Sequence, residues 1–185
     1  IEACSHYVKQ SYRNRCTIAG PDGELALSIP TVKPDTLKCP MKDIRISDHG
    51  NWRHLHWNAI ESAYNNTPFF EYYKDDFRPF YEKKYEFLID FNEEICRLVC
   101  QLIDIQPNIE RTSAYKMEFS AEETDFRESI HPKKDFRTTD PEFSPQPYYQ
   151  VFESKLGFLP NLSIIDLLFN MGPESLLVLK KPTRL

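Results

Sequence analysis

The chain has 185 residues, 41% of them hydrophobic and 14% aromatic, which suits one globular domain with a proper apolar core. A formal charge of −5 excludes general binding along nucleic acid, because a phosphate-tracking surface is net basic, so any anion site must be local. Five cysteines, an odd number with no pair at metal-ligand spacing, exclude a disulfide framework and fit a reducing, cytoplasmic setting.

Residues 1 to 31 read as extended structure. "TIAGPDGELALSIP" places two β-prone runs around Gly20-Pro21-Asp22-Gly23, the composition of a hairpin turn. Leu25, Leu27 and Ile29 alternate with Ala26 and Ser28, so one face is expected to be buried. Pro30, Pro34 and Pro40 mark an irregular connection, after which "KDIRIS" supplies a further strand. The span from Ala3 to Pro21 holds no acidic residue, and Lys9, Arg13 and Arg15 share parity. In an extended conformation those three lie on one face and form a compact receptor for phosphate or carboxylate. An exposed basic strand paired with surface acids is the competing reading.

From Asn51 to Ile105 the period becomes helical. Trp52, His56, Ala59 and Ala63 form one stripe with Leu55 beside it, and Ser47 or Asp48 is available as an upstream cap. Thr67-Pro68 reads as the N-cap and first-turn proline of a second helix carrying Phe70, Tyr73 and Phe77, which stops or kinks at Pro79. Leu88, Phe91, Ile95, Leu98 and Leu102 line one face of a third helix. Cys96 and Cys100, four apart on it, read as small core residues. His54 and His56 point roughly 200° apart on a helix and cannot share a metal ion, so no metal site is expected.

Residues 106 to 147 are rich in charge and proline, with a β-prone run near 112 to 118. They read as either a functional loop or a surface segment. Within them, His131 beside Lys133 and Lys134 is a candidate acid, base or donor. Tyr148, Tyr149 and Gln150 could stack on or hydrogen-bond a sugar or base. "SIIDLLFN" is apolar almost all round, which implies burial, and Asp166 and Asn170 are its polar stripe. Ser163 and Asp166 have capping-box spacing, which makes capping the favoured role of the carboxylate; Asn170 keeps a ligand site in view. The longest apolar runs are far shorter than the ~20 residues that cross a bilayer, so no membrane insertion is expected. No dinucleotide, P-loop or serine-hydrolase motif occurs, and no cofactor is expected.

"YVKQSYRNRCTIAGPDGELALSIP", "IRISDHGNWRHLHWNAIESAYNNTPFFEYY" and "PYYQVFESKLGFLPNLSIIDLLFNMGPES" together resemble the WbqC-like family of bacterial proteins, in the form found in Bacteroides-like bacteria. The resemblance runs from about Cys4 to Leu179 and implies a single domain over 1 to 185. Such proteins normally carry a further N-terminal segment, which is expected to be missing ahead of Ile1. The resemblance also implies a place among genes for O-antigen and other surface polysaccharides, and a transferase that attaches glycine or another acyl group to a sugar. Its regular polar positions fall here on Asn14, Arg15, His56, Tyr64, Ser163, Asp166 and Asn170.

The combined expectation is an α/β domain, a small mixed sheet covered by helices, with an α+β layout equally compatible. Its partner is a small molecule, a nucleotide-linked or phosphorylated amino sugar. Lys9, Arg13 and Arg15 would hold the phosphate, with Asn14, Tyr149 and Asn170 as further contacts. His56 or His131 would take the proton of the attacking amine, and Asp166 would orient base or substrate. A non-catalytic sugar-phosphate-binding or assembly protein of the same pathway is the alternative. The oligomeric state is not legible.

Overall fold

The structure, a computed structural model, describes residues 1–36, 38–127, 129–139 and 144–180, and these build a mixed α/β fold. Strands β1 (Arg15–Gly20) and β2 (Gly23–Ser28) pair antiparallel, in register from Arg15 opposite Ser28 to Gly20 opposite Gly23. Gly23 closes the tight turn at φ 124°, a conformation that side chains with a Cβ disfavour. Leu27 and Ile29 are buried as the alternation requires, whereas Leu25, beside the turn, is exposed.

Among the described residues the sheet stops at this hairpin, which is antiparallel and not mixed. The "KDIRIS" stretch joins it to nothing longer than single bridges, Thr31 to Ile46 and Arg45 to Phe87. The expected strand near 112 to 118 does not form. Its first residue instead ties the chain start: Thr112 N–H donates to the Ile1 carbonyl at 2.9 Å, and Thr112 Oγ1 accepts from Ala3 N at 3.0 Å.

Helices α1 (Trp52–Tyr64), α2 (Phe70–Phe77), α3 (Pro79–Glu82) and α4 (Leu88–Leu102) follow. Trp52, His56, Trp57, Ile60, Ala63 and Tyr64 form the buried stripe of α1, while Leu55 faces solvent. Neither Ser47 nor Asp48 caps α1, and Thr67 does not cap α2; its hydroxyl donates to the Tyr64 carbonyl at 2.7 Å. The chain breaks between α2 and α3 at Arg78, with Pro79 at the start of α3, where a missing N–H costs nothing. Cys96 lies exposed on α4, outside the core expected of it. Short helices α5 (Phe136–Thr139) and α6 (Glu153–Leu156) precede α7 (Ile164–Met171) and α8 (Ser175–Leu179).

Two apolar clusters hold these elements. One joins β1, α1, α2 and α7 around Ile18, Tyr64, Leu168 and Phe169; the other joins residues 29 to 46, the start of α1 and α4 around Ile44, Trp52, Leu88 and Phe91. Tyr81, Ile95 and Leu98 pack against both. Phe169 is the hub of the first cluster, with the rings of Tyr64, Phe70 and Phe77 centred 5.2, 5.2 and 5.5 Å away. Phe169→Ala is expected to cost about 3–5 kcal/mol in urea denaturation, whereas Leu55→Ala at an exposed position on α1 stays within about 0.5 kcal/mol.

Candidate functional site

The basic stretch does not fold as one strand. Gln10 adopts φ 57°, and turns closed by Ser11 Oγ to Val8 O (2.7 Å) and Asn14 N to Ser11 O (3.3 Å) interrupt residues 9 to 14. The parity of Lys9, Arg13 and Arg15 therefore does not translate into a shared face. Lys9 is exposed. Arg13 reaches the His6 carbonyl and Ser5 Oγ, both at 3.4 Å. Asn14 Nδ2 donates to Ile29 O at 2.9 Å and its Oδ1 is buried without a partner. Arg15 Nε donates to Ser28 Oγ at 3.0 Å.

His56 points inward from α1, 5.1 Å from the Trp52 ring and 6.4 Å from Tyr81. Burial pushes its imidazole down to about 4, against a hydrogen bond to the backbone of Ser28 that favours the charged form. The ring is thus neutral at physiological pH. Ser28 receives both Arg15, on its hydroxyl, and His56, on its main chain, so the fold brings these two expected residues together through one serine.

Asp166 does not cap its helix. Ser163 occupies the N-cap but makes no side-chain cap bond, and the carboxylate turns into the protein, where it is 0% exposed. It accepts from Tyr64 Oη at 2.8 Å, Tyr148 Oη at 2.7 Å and Gln150 Nε2 at 3.1 Å. Tyr64 Oη in turn accepts from Ala19 N at 3.2 Å. Asn170 Nδ2 donates to the Asp166 carbonyl at 2.7 Å, and its Oδ1 accepts from Val151 N at 3.1 Å. Desolvation raises the Asp166 carboxyl above its usual range despite the three donors, and raises both tyrosine hydroxyls. This is a sealed joint between α1, α7 and the segment around Gln150. Its contact with β1 is at Ala19, four residues or about 13 Å of strand from Arg15. Tyr149 is exposed, and His131 lies on a loop, its Nδ1 accepting from Lys133 N at 3.1 Å.

The accessible chemistry lies elsewhere. A hollow of about 400 Å³ opens between the start of α1 and α3. The first turns of α1 present Arg53, His54 and Trp57; Arg78, Tyr81, Glu82 and Lys84 come from α3 and its flanks; Asp48 and Asn51 close the near side. Trp57 and Tyr81 form an aromatic wall, ring centres 5.6 Å apart at 41°. Both acids are paired: Asp48 with Arg53 (2.6 Å) and Lys84 (2.8 Å), Glu82 with Arg78 (2.7 Å). His54 Nε2 lies 2.9 Å from Asn58 Nδ2. His56 packs behind the wall, against Tyr81. Hollows of about 520 Å³ near Cys39 and about 280 Å³ near Cys100 lack an aromatic wall, and burial and neighbouring acids raise the Cys39 thiol, so it is not an activated nucleophile. None of the three is lined by Lys9, Arg13, Asn14, Arg15, Asp166 or Asn170. Arg53 and Trp57 escaped the reading of the sequence, although a cation and a ring at i and i+4 share one side of a helix, and His54 was weighed there only as a metal ligand.

The family model described as "WbqC-like protein family" matches residues 1–135, which include the whole lining of the hollow together with Arg15 and His56. The chain belongs to the WbqC-like protein family. Asp166 and its partners Tyr148 and Gln150 lie beyond the matched span. The chain is also similar to the uncharacterized protein Rv1507c of Mycobacterium tuberculosis, 24% identical over 189 residues that cover 91% of this chain and 81% of that protein. No solved structure matches. Among the described residues of this WbqC-like chain, no helix is long and apolar enough to cross a membrane, and no group of three or more His, Cys, Asp or Glu could hold a metal ion.

Two outcomes test the joint. Tyr148→Phe removes one donor from a buried carboxylate and should cost about 1–3 kcal/mol in denaturant titration. Because the Asp166 carboxyl is raised in the folded state, the native chain holds its proton more tightly than the unfolded chain. Its contribution to stability is therefore full below the ordinary value of 3.8 and is lost as pH rises towards the folded value. Melting curves of Asp166→Asn against wild type should shift in the variant's favour as pH is raised from about 3.8 towards neutrality.

Proposed function

We propose that this protein is a cytoplasmic transferase of bacterial surface polysaccharide (O-antigen) biosynthesis, a single domain that holds a phosphorylated or nucleotide-linked amino sugar in the hollow between α1 and α3. The observation that carries the reading is the pairing of the Trp57–Tyr81 wall with Arg53, Arg78 and Lys84 around one opening of about 400 Å³. Rings stack on a base or the apolar face of a sugar, guanidinium and ammonium groups bind phosphate, and the volume lies within the ~300–1,000 Å³ of small-molecule sites. His56 packs against Tyr81 of the wall from within, and Ser28 ties it to Arg15, so two polar positions of the family resemblance connect to the site from behind.

The chemistry that fits is direct acyl transfer, with glycine as one candidate group. The lining holds no serine, threonine or cysteine to carry a covalent intermediate. The sugar amine attacks the acyl carbon of an activated donor, the new N–C bond replaces the bond to the leaving group, and the His54 imidazole takes the amine proton, which leaves with that group.

One observation favours a non-catalytic sugar-phosphate-binding protein of the same pathway: Asp48 and Glu82 are both tied into ion pairs, which leaves His54 without an acidic partner in the hollow. Incubating the chain with activated glycine and an amino-sugar nucleotide, and weighing the sugar by mass spectrometry, separates the two. A glycyl increment that His54→Ala abolishes while binding persists supports the transferase, and binding without any increment supports the second reading. In either case Arg53→Ala is expected to weaken binding about tenfold or more, ~1.4 kcal/mol, in a Trp57 fluorescence titration. Unchanged affinity would remove the hollow from consideration.

A further inference from the structure

Arg53 has less to offer a ligand than a guanidinium normally does. Its side chain is 14% exposed, Nε and Nη2 are buried without hydrogen-bond partners, and the group lies over the Trp52 ring at 4.7 Å. Its third nitrogen, Nη1, donates to Asp48 Oδ1 at 2.6 Å. The other oxygen of the same carboxylate accepts from Lys84 Nζ at 2.8 Å. Any anion that is to use Arg53 without unstacking it from Trp52 must therefore take the place of Asp48.

Asp48 is well suited to giving way. Its side chain is 54% exposed and that of Lys84 is 77% exposed, so the carboxylate and the ammonium sit in solvent while the guanidinium is fixed. The chain immediately after Asp48 turns through Gly50 at φ 77° and Asn51 at φ 49°, so the acid sits beside a sharp bend and not within the body of α1. Geometrically it is a two-oxygen anion bridging two of the cations that would receive a phosphoryl group.

Resting on the reading of the hollow as a site for a phosphorylated sugar, we propose that Asp48 is a resident competitor whose carboxylate occupies the phosphate seat and is exchanged for the ligand's phosphoryl group on Arg53 and Lys84. The consequence is selectivity by charge. A phosphate monoester or diphosphate brings more negative charge and more acceptor oxygens than a carboxylate and displaces Asp48 at a gain. A singly charged sugar acid only matches what it removes, and is rejected. The substrate class is thus sugar phosphates and nucleotide sugars, in preference to uronic acids.

The experiment is a titration of the whole chain with N-acetylglucosamine 1-phosphate and, separately, glucuronate, followed by tryptophan fluorescence. Wild type is expected to bind the phosphate and to bind glucuronate at least tenfold more weakly. Asp48→Asn should tighten phosphate binding about five- to tenfold and narrow the gap between the two ligands. In an Arg53→Lys background the same Asp48→Asn change should lose most of its effect, because the seat itself is altered; a general loss of negative charge would act regardless of Arg53. Asp48→Ser serves as a second variant should the asparagine protein fold poorly. Wild-type binding that depends on Arg53 but is unchanged or weakened by both Asp48 variants overturns the competitor and leaves the site standing. Absence of binding in wild type and in both Asp48 variants overturns the site and the competitor together.

Discussion

A carboxylate with no access to water sets the geometry of this molecule. Burying Asp166 is tolerable only because two tyrosine hydroxyls and an amide surround it, and those donors come from the end of α1 and from the segment just before α6. The same constraint reaches β1 through Ala19, and neighbouring backbone bonds reinforce it, Ser163 N to Thr17 O at 2.7 Å and Phe69 N to Phe169 O at 3.0 Å. Tyr64 ends the helix whose opening turns carry Arg53, His54 and Trp57. Eleven residues of α-helix separate Arg53 from Tyr64, about 16 Å along a rigid axis. An interaction sealed inside one end thereby orients the residues that line the hollow at the other.

Much of the framework was legible because local rules and tertiary context agreed. The Gly20 to Gly23 turn formed a hairpin, the apolar stripe of α4 ran from Leu88 to Leu102, and Pro79 interrupted its helix. The failures have separate physical origins. Nothing marks Gln10 as a left-handed residue, yet that torsion and the turns closed by Ser11 beside it scramble the parity on which a cationic strand was inferred. Ser163 and Asp166 have the spacing of a cap, but spacing along a helix cannot say whether a carboxylate folds back or turns towards a hydroxyl 102 residues away. The run near 112 to 118 had β propensity but pairs with no described strand, and there Tyr115 and Phe119 instead receive the guanidinium of Arg127 at 4.6 and 4.8 Å.

The hollow was hidden for another reason. Its residues come from a turn, a helix start, a helix break and a short connector between positions 48 and 84, none of which is distinctive alone. Arg78 and Lys84 acquire meaning only when α3 folds back beside α1. Arg15 and His56, expected to act on one ligand as phosphate holder and base, are instead linked through Ser28 inside the protein and not around a shared opening.

Tyr81 packs against both apolar clusters while its ring forms part of the aromatic wall. A molecule seated against that ring therefore touches the seam through which the two cores are welded. Occupancy at such a seam favours the assembled state of each core at once, so its free energy is distributed over the entire cooperative unit by linkage and does not merely stiffen a local loop.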